Sequence, residues 1–213
     1  MNRLKIVALC GSPIKNGNTC HFIQRALEPL PSSEVDCEII ELAKLRIDDC
    51  NHCNWCLKNK DEGRICKIDD QAEPILHTIK SADVLVVASP AYYGRMSGRL
   101  ACLLDRTRPF IFSPAHRGCM ADKPGVALAV GWGRNAGLET TLQSIVWSFL
   151  VLEMLPVSHH NSGALLGAAG ISNPLLVNAA PDDKHAVDSD VVGILAAQGV
   201  VKRAIDLAGR ING

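Results

Sequence analysis

The sequence predicts an α/β fold: a doubly wound, five-stranded parallel sheet in the order 2-1-3-4-5, with helices on both faces. Three observations predict it. Short, almost wholly apolar runs at residues 4–10, 83–88 and 125–130 read as strands buried on both faces. Segments of helical spacing alternate with those runs, which calls for parallel strands joined by crossover helices. The chain is 47% hydrophobic yet has only four Phe, so its core is aliphatic, as buried parallel strands prefer.

The elements follow in order. Residues 4–10 end at Gly11 and form the first strand. Residues 19–30 have helical spacing and stop at Pro29 and Pro31. Residues 35–42 alternate weakly and form the second strand, and residues 48–67 are polar, irregular and rich in Cys. Asp69 and Asp70 cap a helix that runs to Ser81. Residues 83–88 form the clearest strand, followed by a loop over 89–96 and a helix over 97–108. The fourth strand, 125–130, is followed by a glycine-rich loop over 131–137 and an amphipathic helix over 138–155. A short strand surrounds Pro156, Val157 and Ser158. Residues 163–184 resist assignment, 188–208 form a last helix, and 209–213 are a tail. The five strands suit the flavodoxin-like order, in which ligands sit beyond the carboxyl ends of strands. The loops after strands one to four all open on that edge.

A chain of 213 residues suits one domain, 1–213, with the Cys-rich loop at 48–67. Formal net charge is zero, which argues against nucleic acid or an anionic membrane as a partner. No apolar run approaches the ~20 residues of a membrane helix, and the start of the chain lacks a signal-peptide core. A cytoplasmic protein is expected. Nine cysteines in such a chain favour metal or redox chemistry over disulfides.

The loop from Gly11 to Thr19 joins a strand to a helix. Glycines and small residues let backbone N–H groups turn inward, Ser12 and Thr19 add hydroxyls, and the helix N-terminus adds partial positive charge. The combination suits phosphate, although an ordinary turn needs similar residues. The nucleotide-triphosphate and dinucleotide glycine patterns are both absent. After the third strand, Pro90 and Gly94 fix a turn, and Tyr92 or Tyr93 can cover a planar ring; packing of one and exposure of the other is the simpler role. After the fourth strand, Gly131, Gly133 and Gly137 permit close backbone approach. In that loop Arg134 can stabilise an anion, and Trp132 serves equally as an anchor.

Three ordered motifs carry a resemblance. Gly11-Ser12-Pro13 with Gly17-Asn18-Thr19 is the first. Ser89-Pro90-Ala91-Tyr92-Tyr93-Gly94 with Leu104-Asp105-Arg106-Thr107 is the second. Gly131-x-Gly133-Arg134-Asn135-x-Gly137 with Glu139-Thr140-Thr141 is the third. Together they resemble the NADPH-dependent FMN reductase family over most of residues 4–158. The resemblance implies that Ser12, Asn18 and Thr19 hold the FMN phosphate, with Lys15 and Gly17 shaping the loop. It implies that Pro90, Ala91, Tyr92, Tyr93 and Gly94 run along the flavin, and that Gly131, Trp132, Gly133, Arg134 and Gly137 close its other edge. One departure is Ala101, where relatives usually carry Lys.

Cys50-x2-Cys53-x2-Cys56-x9-Cys66 is the sharpest local signal. Such compact spacing with one distant thiolate suits a 4Fe–4S cluster, whereas tetrahedral zinc or free thiols remain alternatives. The set resembles the iron–sulfur flavoprotein branch of the same family, in which the cluster relays electrons to FMN, often across a subunit interface. The last spacing, residues 57–65, is longer than relatives usually have, so Cys66 departs most from the pattern. Cys10, Cys20, Cys37, Cys102 and Cys119 lack cluster spacing and are read as small core residues. His52 is read as exposed, and His159-His160 as a strand-end turn.

Because a flavin carries the hard chemistry, no protein catalytic set is expected. The favoured expectation is an iron–sulfur flavoprotein. It takes electrons from a ferredoxin-like donor and passes them from a 4Fe–4S cluster to FMN and a small-molecule acceptor. The alternatives are an NAD(P)H-dependent FMN or quinone reductase without a cluster, and a flavodoxin-like electron carrier. By resemblance the protein is a homodimer or homotetramer. The 138–155 helix with Trp147 and Phe149, together with the Cys loop, supplies the interface.

Overall fold

The computed structural model describes residues 3–173 and 183–213. β1 (Leu4–Cys10), β2 (Val35–Glu41), β3 (Val84–Pro90) and β4 (Pro124–Gly131) are joined by α1 (Asn18–Leu27), α2 (Ala72–Lys80) and α3 (Gly98–Asp105). After β4 come α5 (Leu138–Val151), β5 (Leu155–Pro156), β6 (Ala168–Ile171) and α6 (Val191–Asn212), while α4 (Pro109–Phe112) is one turn after α3. All strand pairs are parallel, in the order β2-β1-β3-β4-β5, with β6 also on β4. The expected order therefore holds, but the fifth position is shared by two short pieces. β5 pairs the start of β4, β6 pairs its end, and residues 157–167 bulge between them.

The alternation of side chains across each strand builds two cores. Ile6, Ala8, Val84, Val86, Val126 and Leu128 face α1 and α6. Val7, Leu9, Leu85, Val87, Ala127 and Ala129 face α2, α3 and α5. Every residue of β3 and β4 is buried, which explains their continuous apolar sequence. β2 is an edge strand with three consecutive exposed residues, Asp36 to Glu38, and its weak alternation reflects that position.

Several boundaries differ from expectation for local reasons. The helix expected over 97–108 stops at Asp105, because Pro109 lacks the N–H that would bond back to the Asp105 carbonyl. The last helix starts at Val191, where the Asp190 carboxylate accepts the Gly193 N–H, and it absorbs the expected tail. Of the unassigned stretch 163–184, residues 174–182 lie outside the described residues. Phe149, expected at an interface, is fully buried against the sheet, whereas Trp147 is exposed. Cys37 is exposed on the edge strand and is not a core residue. His159 accompanies a turn as expected, with its Nδ1 2.8 Å from Ser162 Oγ. Among the described residues no helix is long and apolar enough to cross a membrane.

Candidate active site

Three loops meet at the carboxyl edge of the sheet. The first runs from β1 into α1. Its Gly11 N–H donates to Ala88 O at 2.8 Å, and the Ile14 N–H donates to the buried Ser12 Oγ at 3.1 Å. α1 starts at Gly17 with no side-chain cap and no acid in its first turn. The first intrahelical bond runs from the His21 N–H to Gly17 O, so the N–H groups of Asn18, Thr19 and Cys20 stand at the open end. An acid-free, uncapped helix N-terminus after a tight loop fits a phosphate group.

The side chains around that terminus are used unequally. Asn18 Nδ2 donates to Asp183 O at 2.7 Å and Asn18 Oδ1 accepts the Val187 N–H at 2.8 Å, so this amide fastens the segment before α6. Its backbone N–H and one remaining Nδ2–H are left for an anion. Thr19 is buried and Lys15 exposed. The Asn16 N–H donates to Glu41 Oε2 at 2.6 Å, which ties the loop to the end of β2.

The second loop follows β3 and is bound to the first. Ser97 Oγ donates to Gly11 O at 2.6 Å, and the Ser97 N–H donates to Ser89 Oγ at 2.9 Å, both buried. Pro90 is buried at the end of β3, and the Ala91 N–H donates to Val130 O at 2.8 Å. Tyr92 and Arg95 exchange backbone hydrogen bonds of 3.0 and 3.1 Å around Tyr93 and Gly94. With φ of 50° and 73° at those two residues, the turn has the mirror-image geometry typical of hairpins. Tyr93 stands fully exposed at the apex, and Tyr92 is partly exposed beside it. Burial pushes the Tyr92 phenol above its ordinary range, so it stays neutral at physiological pH.

The third loop, after β4, closes against the second. Gly137 has φ +82°, and a Cβ placed there would lie 2.3 Å from Gly94 Cα. Thr140 Oγ1 donates to Gly94 O at 2.6 Å. Thr140 belongs to the third sequence motif, and its contact fixes the Tyr92–Arg95 turn. Gly131 is buried and Gly133 half-buried, while Trp132 and Arg134 are exposed on the rim. The loops thus offer backbone and small residues in the cleft, flanked by aromatic groups. That donor set fits a planar, polar-edged ring as well as its phosphate tail.

Cys50, Cys53, Cys56 and Cys66 line one small cavity with Asp105, Arg106 and Arg108. Positive φ at His52 and Asn54 coils the loop, and a short turn at Trp55–Leu57 buries Cys56. Burial pushes the Cys56 thiol up, although Arg108 opposes this. Glu73 in the first turn of α2 accepts the N–H groups of Ile65 and Cys66 at 2.7 and 2.9 Å and so fixes Cys66. Residues 57–64 before Cys66 are exposed except at Asn59, and Ile65 is fully buried. The buried Asn59 amide donates to Asp61 O and Arg64 O and holds the extra residues in place. No three of the four sulfurs come within 4.8 Å of one another. A closed tetrahedral zinc with ~2.3 Å bonds needs sulfurs about 3.8 Å apart, so the four thiols as they stand are spaced more widely than such a site.

Arg106 is the residue that sequence reasoning did not assign. Its side chain is fully buried and bridges Asp70 Oδ2 at 2.8 Å, Asp48 O at 3.1 Å and Cys66 Sγ at 3.1 Å. Burial alone would raise the Asp70 pKa. The Arg106 guanidinium and the N–H groups of Asp48 and Ala72 outweigh it and hold the carboxyl below its ordinary range. The Leu104–Thr107 motif marked the position without its role. None of the residues lining the cysteine cavity belongs to the three loops above. α3 separates the two sites, with Gly98 near one and Arg106 at the other, about 12 Å along the helix.

Residues 4–164 match the NADPH-dependent FMN reductase family. The chain is 33% identical to an iron–sulfur flavoprotein of Methanocaldococcus jannaschii, over 96% of this chain and 97% of that protein. It is 28% identical to an iron–sulfur flavoprotein of Archaeoglobus fulgidus, over 98% and 99% of the two chains. A solved flavodoxin, the WrbA-like protein from Agrobacterium tumefaciens, shares the fold with a TM-score of 0.59 at 13% identity, over 98% of this chain and 99% of that one. The sheet is therefore flavodoxin-like, and the chain belongs to the NADPH-dependent FMN reductase family as a flavin-dependent oxidoreductase.

Proposed function

We propose that this protein is an iron–sulfur flavoprotein that takes electrons from a ferredoxin-like donor and delivers them to a small acceptor such as a quinone, peroxide or oxygen. Cys50, Cys53, Cys56 and Cys66 hold a 4Fe–4S cluster, and the three loops at the sheet edge hold FMN. The observation that carries this reading is the shared cavity of the four cysteines, with a buried guanidinium donating to Cys66. The two relatives described as iron–sulfur flavoproteins support it. Bound in these places, a cluster supplies one-electron transfer and FMN links it to two-electron chemistry.

The chain's own residues bind, orient and tune. Ser12, Gly17, Asn18 and Thr19 place backbone donors around the FMN phosphate, with Lys15 adding positive charge at the rim. Pro90, Ala91, Tyr92, Tyr93 and Gly94 lie along the ring, and Gly131, Trp132, Gly133, Arg134 and Gly137 bound its other edge. Arg106 and Arg108 offset thiolate charge at the cysteine cavity, and a hydrogen bond to a ligating sulfur raises its reduction potential. Because α3 separates the sites within one chain, transfer between them suits a second copy. An exposed apolar strip of Phe112, Trp147, Leu150 and Val151 lies beside the cavity and suits a homodimer or homotetramer contact.

The family's own description favours a second reading, hydride from NADPH without a cluster. Metal and sulfide analysis of protein purified without oxygen separates the two. About four iron and four sulfide per FMN supports the cluster; FMN with neither, bleached directly by NADPH, overturns it.

A further inference from the structure

Two thiols and a carboxylate that neither site uses meet beneath the phosphate loop. Cys10 ends β1, Cys20 lies in the first turn of α1, and Glu41 ends β2. Cys10 and Glu41 are register partners in adjacent parallel strands. One sulfur from each Cys and one carboxylate oxygen all lie within 4.8 Å of one another. Cys10 and Cys20 are buried and Glu41 is half-buried. Glu41 holds the Asn16 N–H through Oε2, and the same carboxylate stands against two buried thiols.

We propose that Cys10, Cys20 and Glu41 form a binding site for a soft divalent cation, with zinc as the favoured ion. Paired thiolates select such metals, and a carboxylate oxygen is an accepted third ligand. All three ligand atoms lie within 4.8 Å of one another, and contraction toward the ~3.8 Å sulfur spacing of tetrahedral zinc would close the site. It is tighter than the Cys50–Cys66 cavity, where no three sulfurs meet that limit. Charge also balances. Replacing two thiol protons by one divalent cation leaves the formal charge of the three groups unchanged, and two protons are released. The neighbouring phosphate site therefore meets no new net charge.

The surroundings prepare the ligands. The Asn16 N–H holds Glu41 Oε2 at 2.6 Å, which orients the carboxylate and leaves its other oxygen for the metal. A bound ion joins β1, α1 and β2 around residues 11–19, clamping the phosphate loop from below. A water completes the fourth position. The inference depends neither on the cluster nor on which donor reduces the flavin.

The test is a zinc titration of reduced, FMN-bound protein against a chromophoric chelator, in wild type, Cys20→Ser and Glu41→Gln. Wild type is expected to hold about one equivalent more than Cys20→Ser. Glu41→Gln is expected to weaken that equivalent by about tenfold or more, the least that loss of even an outer partner costs. Zinc should raise the thermal midpoint of wild type more than that of Cys20→Ser. Equal stoichiometry in wild type and Cys20→Ser overturns the proposal, as does a Cys10–Cys20 disulfide in place of the metal. Should Cys20→Ser fail to fold, unchanged zinc affinity in Glu41→Gln overturns it alone.

Discussion

The Nε–H of Arg106 donates to the sulfur of Cys66 at 3.1 Å, while the other edge of the same guanidinium grips Asp70 at 2.8 Å. Both side chains of the ion pair are fully buried. Removing one partner of such a pair leaves a charge with neither water nor counter-ion, at a cost of about 3–5 kcal/mol. Asp70→Asn keeps the shape and removes the charge. Its urea midpoint is expected to fall by a corresponding amount, and an unchanged midpoint would show that Arg106 is compensated elsewhere.

The same pair sets a dependence on acid. Asp70 is held below its ordinary range, so its stabilisation is complete above the unfolded carboxylate value of about 3.9. It is lost as pH falls through the lower folded value. The stability gap between wild type and Asp70→Asn should therefore be constant near neutrality and narrow below about pH 4. Urea melts at several pH values measure it. A gap that widens in acid would reverse the sign argued here.

Gly137 and Gly94 permit a closer test of the cleft. A Cβ at Gly137 would sit 2.3 Å from Gly94 Cα, and φ of +82° is unfavourable for any L side chain. Gly137→Ala must push the third loop off the Tyr92–Arg95 turn and strain the backbone, at about 1–3 kcal/mol. FMN affinity is expected to drop more than stability does, because the two loops that separate are the ones proposed to flank the ring. Flavin fluorescence titration beside a thermal melt distinguishes the two losses. Equal affinity in the variant would place the ring elsewhere.

What the sequence disclosed follows from how local each signal is. β3 and β4 are buried on both faces, so their apolar runs were legible without context. The Gly11–Thr19 loop and the four spaced cysteines were equally plain, because turn and ligand chemistry depend on near neighbours. Arg106 was not legible in role, since its partners Asp48, Cys66 and Asp70 lie 36 to 58 residues away in sequence. Asn18 carried a phosphate role by resemblance, yet its amide engages residues 165 and 169 positions away. The split fifth strand escaped because β5 has two residues and β6, Ala168–Ile171, is built of small ones. Cys10 and Cys20 looked like packing residues because Glu41 joins them only through the β1–β2 register.

The open end of α1 makes the phosphate the anchor of the flavin. Three backbone N–H groups there lack intrahelical partners, no acid lies in the first turn, and Gly17 provides no side-chain cap. Hydrogen bonds to a charged group are worth about 1.5–3 kcal/mol each. Two such bonds correspond to at least about a hundredfold in affinity. Riboflavin, which lacks the phosphate, is therefore expected to bind at least a hundredfold more weakly than FMN, and inorganic phosphate should compete with FMN but not with riboflavin. Introducing an acid at the terminus, as in Thr19→Asp, should bring FMN affinity down toward that of riboflavin while leaving riboflavin nearly unaffected. Comparable binding of the two flavins to the unmodified protein would mean that the ring contacts hold the cofactor, and the α1 terminus would lose its assignment.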